Sequence, residues 1–251
     1  MICGTENDAY KPSIKSDRLN LTLNKLCSEI TGAGETVYCY VIDTITHQDK
    51  CFLQTGCGPN FKGDLITLCT CKHYMRCFKK PEDWEGKWIV GVTNVQAGEG
   101  KNWLVYLMQV GKAFESHYEL WKYLKNDKKE TLREKSASNS IFGDVYIPTN
   151  QKMKLYGEDR FRPGNYAGPC DDHCHGKSNK KKGCGLEWHK DIKKHSSKRL
   201  KNHTPALLVG DPDCSFLWNK RLIHLNVQKV MTQGQKKYRT ADDFLGTLKK
   251  A

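Results

Sequence analysis

The pattern of hydrophobic and polar positions predicts more strands than helices along this chain. Six segments are rich in β-branched and aromatic residues and are bounded by turn-forming residues, which is typical of strands. These predicted strands cover residues 36–43, 65–71, 87–93, 103–110, 205–210 and 221–230. Residues 56–63, with three glycines and a proline, favour a loop, and the charged residues 126–138 favour a linker or mobile loop.

Helical periodicity is confined to a few short segments. Apolar residues at helical spacing predict a helix over residues 17–31, and Gly32 marks its end. A second helix should pack on the sheet through an apolar face formed by Phe114, Tyr118, Trp121 and Leu124. Thr240 and Asp243 have the spacing of a helix cap, which predicts a C-terminal helix over about 240–250.

These elements predict an α+β fold around a mostly antiparallel sheet, which could close towards a barrel, with helices at its flanks. The strands lack the regular alternation with helices that defines a doubly wound sheet. The 251 residues suit a single large domain. We expect the core over about residues 36–225, with a basic insertion rich in Cys and His over about 166–202.

Positive charge is concentrated in the insertion. The chain has 41 Lys and Arg against 28 Asp and Glu, and residues 177–201 contain ten of those cations but only two acids. Concentrated cations favour polyanions, because each neutralised phosphate releases condensed counterions. The alternative is a solvated basic loop without a partner. If nucleic acid is the partner, the expected contacts are Lys180, Lys181 and Lys182, with Trp188 stacking on a base.

The interpretation of the twelve cysteines depends on whether the cell compartment keeps thiols reduced. No apolar run approaches the ~20 residues of a membrane span, and the first residues lack the features of a secretory signal. We therefore expect a cytoplasmic protein with reduced thiols and no membrane partner, where clustered Cys and His favour metal binding. Cys170, Cys174, Cys184 and His189 predict a structural zinc site. The alternative is a basic loop with incidental Cys and His.

A candidate reactive group follows the Gly-rich loop. Lys72 and Arg76 lie close to Cys71 in sequence, and cations lower the pKa of a nearby thiol, which activates it as a nucleophile. The same two cations could instead bind a phosphate. A third interpretation is a buried structural cysteine between surface charges. The spacing alone leaves all three open.

An ordered series of motifs carries a family resemblance over roughly residues 36–225. It consists of Tyr38 to Asp43, then Gly56, Pro59, Asn60 and Gly63, then Thr67, Leu68, Cys71, Lys72 and Arg76, then 86–91, 104–108, 143–146, and His195 with Ser196. In this order the chain resembles the nucleotide modification-associated domain, the second family of that name. Gly58, His73 and Lys87 stand where that family usually has Ala, Pro and Asp.

The resemblance implies a role in modifying nucleotides in DNA, in bacterial or phage systems that make or respond to unusual bases. It does not imply a particular reaction. It implies a candidate site formed by Asn60, Cys71, Lys72, Arg76, Asp144, Tyr146 and His195.

Three functional hypotheses stay open at this stage. The first is an enzyme that alters a base or its precursor, with Cys71 or Asp144 and His195 in the chemistry. The second is a non-catalytic reader of nucleic acid that carries a modified base, with cations providing affinity and an aromatic pocket providing selectivity. The third is a zinc-stabilised scaffold that recruits another modifying enzyme. The expected partner is a nucleic acid, with DNA favoured, or a nucleotide.

Overall fold

Among the residues that the structure describes, ten strands form one large and two small sheets. A computed structural model describes residues 14–48, 50–171, 173, 188–196, 203–227, 231–232 and 234–251. Its strands are β1 (Val37–Ile42), β2 (Ile45–Gln48), β3 (Cys51–Gln54), β4 (Thr67–Leu68), β5 (Trp88–Thr93), β6 (Leu104–Phe114), β7 (Leu207–Leu217), β8 (Ile223–Leu225), β9 (Gln235–Tyr238) and β10 (Leu248–Lys250). Six of them form the main sheet in the order β4-β7-β6-β5-β1-β9.

The main sheet is mostly antiparallel and open. Only β1 and β5 run parallel, and every other neighbouring pair is antiparallel. Since β4 and β9 lie at opposite edges, the described strands do not close into a barrel. Strands β2 and β3 form a hairpin, and β8 pairs with β10. The predicted α+β class with a mostly antiparallel sheet is confirmed, whereas the barrel form is not.

Both faces of the central strands are covered. All six residues of β1 and all six of β5 are buried, as expected when layers pack on both sides of a sheet. Tyr38 and Tyr40 point into one core with Trp84, and the alternate residues Cys39 and Val41 point into a second core. The candidate site lies on the Tyr40 side of the sheet.

Six α-helices of the described segments pack around the sheets. They are α1 (Leu23–Ile30), α2 (His73–Arg76), α3 (His117–Asp127), α4 (Lys129–Lys135), α5 (Trp188–Lys194) and α6 (Ala241–Leu245). Hydroxyl caps set several of their starts: Thr22 caps α1, and Ser116 and Thr240 form complete capping boxes at α3 and α6. The cap predicted from Thr240 and Asp243 is therefore confirmed.

Several predicted boundaries are wrong. The helix predicted over 17–31 begins only at Leu23, and the C-terminal helix ends at Leu245, after which the chain forms β10. The segment 126–138 is not a loop but contains α4, because the apolar Leu132 provides a buried contact among charged residues. The β2–β3 hairpin and β9 were not predicted at all. Strands β2 and β9 are largely polar, and β3 has only four residues, so each gives little strand signal.

The strand predicted over 65–71 is reduced to the two residues of β4. Beyond Leu68 the backbone leaves the sheet because its carbonyl groups bind a side chain instead of a neighbouring strand. The carbonyls of Cys69 and Cys71 both accept hydrogen bonds from the guanidinium of Arg76. The chain then turns through Lys72, whose φ is 54°, into α2.

A tight turn at Gly143 attaches the next part of the site to α4. The amides of Asp144 and Val145 both donate to the carbonyl of Lys135, the last residue of α4, at 3.0 and 3.1 Å. A Cβ atom on Gly143 would lie 2.4 Å from backbone atoms of Ser136 and Ala137. Only glycine therefore fits where this turn crosses the end of α4.

We expect Gly143→Ala to lower the free energy of unfolding by about 1–3 kcal/mol, because the added methyl group collides with backbone that cannot rotate away. Urea denaturation followed by circular dichroism would measure this loss. Gly164→Ala is the matched control, since a Cβ at Gly164 meets no atom within 4 Å, and it should change stability by less than about 0.5 kcal/mol. Equal effects of the two substitutions would contradict the close approach.

Candidate functional site

A buried polar network supports the site from within. The ammonium group of Lys135 donates to the backbone carbonyl of Asn60 at 3.2 Å, to the side-chain oxygen of Asn60 at 3.1 Å and to the hydroxyl of Thr67 at 3.2 Å. That hydroxyl donates in turn to the carboxylate of Asp144, 2.8 Å from its nearer oxygen. All four residues are buried. The network connects the Gly-rich loop, β4 and the Gly143 turn.

Burial disfavours the charged forms of both Lys135 and Asp144. It lowers the pKa of Lys135 to about 8, although Asp144 acts in the opposite direction. It also raises the pKa of the Asp144 carboxyl, and the positive charge of Lys135 opposes that shift. The side-chain amide of Asn60 donates to the carbonyl of Phe142 at 2.8 Å. Asn60 and Asp144, both candidates from the family resemblance, thus have internal partners.

Arg76 is buried and faces inward. Its guanidinium donates to the carbonyl oxygens of Cys71 at 2.8 Å and Cys69 at 2.7 Å, and also to that of Ala206 just before β7. A phosphate at Arg76 would have to replace these bonds, so the phosphate contact predicted there stays a prediction. The ammonium group of Lys72 lies 5.2 Å from the centre of the Tyr40 ring.

The environment of Cys71 disfavours its thiolate form. Burial raises its pKa to about 11, and the lowering effects of Arg76 and Lys72 are smaller. The prediction that these cations lower the thiol pKa is therefore wrong in its net direction. It considered the neighbouring charges and omitted the cost of moving a thiolate out of water. The alternative interpretation, a structural cysteine, fits this environment better.

Three imidazole rings lie close together near Arg76. His195, which follows α5, has its ring centre 5.2 Å from that of His117 at the start of α3 and 5.9 Å from that of His73 at the start of α2. Tyr146, three residues beyond Gly143, packs edge-on against His117 at 4.8 Å. Its hydroxyl lies 3.4 Å from the Asp191 carboxylate. We call His73, His117, His195, Tyr146 and Asp191 the histidine cluster.

Two of these rings are neutral and have complementary tautomers. Nδ1 of His195 lies 2.6 Å from the carbonyl oxygen of Pro205 and must donate a proton to it. Nδ1 of His117 accepts from the backbone N–H of Tyr146 at 3.4 Å, so its proton is on Nε2. Burial and the charge of Arg76 lower the pKa of His195 to about 3, while burial and His195 hold that of His117 well below its usual value. The Nε2 atoms of both rings are buried and make no hydrogen bond of good geometry in the described part of the chain. The backbone carbonyl of Cys69 lies near the His195 ring and acts to raise its pKa.

Trp188 belongs to the wall of this cluster. Its ring lies 5.5 Å from that of Tyr146 at an interplanar angle of 31°, and His189 packs on it at 4.2 Å. Trp188 is 8% exposed. The base-stacking role predicted for it remains untested, and little of its surface is accessible in this arrangement.

The three residues expected to take part in chemistry converge on one segment without touching. Asp144 binds the hydroxyl of Thr67, while Cys71 and His195 both lie beside Arg76. No hydrogen bond joins Cys71, Asp144 and His195 among the described residues. Sequence reasoning missed Lys135, His117 and Asp191. The only available signal was Asp191, one of two acids in a segment of ten cations.

The zinc prediction stays a prediction. Of its four ligands, Cys170 is partly buried with its amide bonded to the Ala137 carbonyl, and His189 packs on Trp188. Cys174 and Cys184 lie outside the described residues, as do Lys180, Lys181 and Lys182. Within the described ranges, no group of three or more His, Cys, Asp or Glu side chains is arranged to hold a metal ion.

These features define a mixed α+β protein whose sheet carries a buried polar network and a histidine cluster. Residues 34–181 match the family model described as Nucleotide modification associated domain 2, and the chain belongs to that family. Its involvement in nucleotide modification systems follows from this membership. No curated protein and no solved structure matches the chain. Asp191 and His195 lie beyond the matched range.

None of the described helices is both long enough and apolar enough to cross a bilayer.

The neutral state of His195 predicts how stability depends on pH. Between about pH 6.5 and 3 the unfolded chain binds a proton at this residue and the folded chain does not, so acid destabilises the fold. The expected loss is up to about 1.4 kcal/mol for each pH unit below 6.5. The His195→Asn variant keeps an N–H group near the Pro205 carbonyl and does not titrate, so it should lack this component. Urea denaturation of both proteins over this pH range would measure the difference, and parallel curves would contradict it.

Proposed function

We propose that this chain recognises a base of nucleic acid in a nucleotide modification system, and that it does so by non-covalent binding at the histidine cluster. The observation that carries the proposal is the pair of Nε2 atoms on His117 and His195. One is a donor and the other an acceptor, and both are buried without a hydrogen bond of good geometry in the described residues. Membership of the family supports the link to nucleotides.

The energetics of the pair favour a polar ligand. A buried polar atom without a hydrogen bond costs about 1–3 kcal/mol, so two adjacent ones call for an explanation in a native structure. A neutral group with an adjacent acceptor and donor would satisfy both. The edges of nucleobases have this pattern, and their substituents distinguish one base from another. Tyr146 beside His117 adds an aromatic surface.

The route to the pair passes α2. Cys71 and His73 are partly exposed as whole residues, although the His73 side chain is only 10% exposed, whereas His117 and His195 are buried. The His73 ring lies between this partly exposed surface and His195, and its Nε2 is 3.9 Å from the Asp191 carboxylate. A base extruded from its strand would reach the cluster from this side.

The ionisation of the candidate groups favours recognition over catalysis. With a pKa of about 11, the Cys71 thiol contains little thiolate at neutral pH. With a pKa of about 3, His195 is a weak general base. The Asp144 carboxylate is bonded to Thr67 and buried. The modified-base reader is therefore our proposal, and the modifying enzyme is the alternative.

We expect His117→Asn and His195→Asn each to reduce the preference for the best-bound base by about ten-fold, since one base contact contributes about 1–3 kcal/mol of discrimination. Asparagine keeps a polar atom near the position of Nδ1 and removes Nε2. The assay is fluorescence anisotropy with single strands that differ only in one central pyrimidine, unmodified or hydroxymethylated. The control is His47→Asn on β2, a histidine that is partly buried and distant in sequence from the cluster.

Two results would contradict this proposal. The first is an unchanged base preference in both cluster variants. The second is a new nucleoside mass in nucleic acid incubated with the wild-type protein, which would favour the enzyme instead.

We also propose that the basic segment binds DNA phosphates of such a system. Residues 177–183 contain four lysines and lie outside the described residues. Replacing them with a Gly/Ser linker of equal length should flatten the plot of log binding constant against log salt concentration. The expected change is about 0.9 for each duplex phosphate that is no longer neutralised. An unchanged slope, measured by anisotropy across a salt series, would refute the assignment.

A further inference from the structure

The outer face of α2 presents an exposed aromatic ring. Tyr74 is 56% exposed, while its neighbour Met75 is fully buried. The Tyr74 ring packs edge-on against Phe78 at 5.5 Å, and Phe78 lies 6.3 Å from Tyr38 on β1. The ammonium group of Lys237 lies 6.0 Å above the Tyr38 ring. A row of aromatic rings therefore runs inward from the exposed Tyr74 through Phe78 to the buried Tyr38 on β1, which is paired with Lys237 of the edge strand β9.

Four lysines accompany this row. Lys79 and Lys80 follow Phe78 directly, and Lys237 lies over Tyr38. Lys72 precedes α2, and its ammonium group lies over the neighbouring Tyr40 ring. None of the four has a carboxylate partner among the described residues. Some surface lysines do have such partners, as in the pairs Lys25 with Glu29 and Lys112 with Glu85. This surface is therefore marked by its aromatic rings beside lysines and not by the lack of partners alone. Two acids, Glu82 and Asp83, follow in the short helix Pro81–Trp84. We call Tyr74, Phe78, Lys72, Lys79, Lys80 and Lys237 the Tyr74 patch.

We infer that the Tyr74 patch binds single-stranded nucleic acid, with one base stacked on Tyr74 and the adjacent phosphates beside its lysines. Proteins that bind single strands combine aromatic rings for the bases with cations for the backbone. A duplex keeps its base faces covered and offers Tyr74 nothing to stack on. An acidic peptide would use the lysines but would gain less from the ring.

The position of α2 relates this patch to the histidine cluster. His73 and Tyr74 are consecutive, yet the His73 ring contacts His195 and the Tyr74 ring is in solvent. A strand held at Tyr74 would bring its neighbouring bases to the partly exposed side of the cluster. Strand binding at the patch does not require base recognition by His117 and His195, and the two are tested separately.

Tyr74→Ala should weaken binding of an unmodified oligothymidine by at least about five-fold, because one stacked base contributes that much or more. Tyr74→Phe should retain most of the affinity, since the ring remains. The matched control is Tyr156→Ala, as Tyr156 is 68% exposed and far from the patch in sequence. Thermal unfolding followed by circular dichroism would confirm that the variants fold. Equal effects at Tyr74 and Tyr156, or none at either, would overturn the inference.

A second pair of variants tests the cations. Lys79→Gln with Lys80→Gln should lower the salt dependence of single-strand binding by about 1.4, which corresponds to two phosphate contacts at about 0.7 each. Lys152→Gln with Lys154→Gln removes the same charge from two exposed lysines elsewhere and should leave the slope unchanged. Equal slopes for the two double variants would count against phosphate contacts at the patch.

Other ligands of the Tyr74 patch, namely a duplex or an acidic peptide, would give different results. If a hairpin duplex or a polyglutamate peptide binds as tightly as the single strand, and loses as much affinity in Tyr74→Ala, the inference is overturned. The proposed base reader can fail independently. In that case His195→Asn leaves base preference intact, while Tyr74→Ala still weakens the unmodified strand.

Discussion

The buried guanidinium of Arg76 determines the arrangement of the site. Its bonds to the carbonyls of Cys69 and Cys71 end β4, and its bond to Ala206 ties the same segment to the start of β7. This fixes α2, which directs His73 inward and Tyr74 outward. The charge of Arg76 also helps to keep His195 neutral. A buried cation of this kind is tolerated because its donors meet carbonyl oxygens. Its influence is therefore structural and electrostatic at once.

The sequence was most informative where burial is continuous. Strands β1 and β5 were predicted because both of their faces are apolar, and the Thr240 cap because it depends only on local spacing. Strand β9 was missed because Gln235 to Tyr238 is polar and acquires its structure by pairing with the distant β1. Helix α4 was missed because a single buried leucine gives no visible periodicity. Long-range pairing leaves little trace in a local pattern.

For the site, sequence reasoning predicted which residues lie near one another better than it predicted their ionisation states. Asn60, Asp144, Tyr146 and His195 were selected by resemblance, and all four are buried around the 67–76 segment or the cluster beside it. The pKa of the Cys71 thiol was predicted to shift in the wrong direction, because the charges that neighbour Cys71 in sequence do not reveal how deeply its thiol is buried. Lys135 and His117 escaped notice for the same reason. Their roles depend on burial and on carbonyl, hydroxyl and amide partners that only the fold brings near.

The pairing of β1 with β9 has a consequence for the order of assembly. Val37 lies opposite Tyr238, about two hundred residues further along the chain, so this ladder cannot form on the ribosome until residue 238 has been made. Contacts so remote in sequence form slowly because a long loop must close first. Lys237 is carried by this late strand. The nascent chain would thus display Tyr74 and Phe78 before the lysine at the far end of their row arrives, and the basic surface would be completed last.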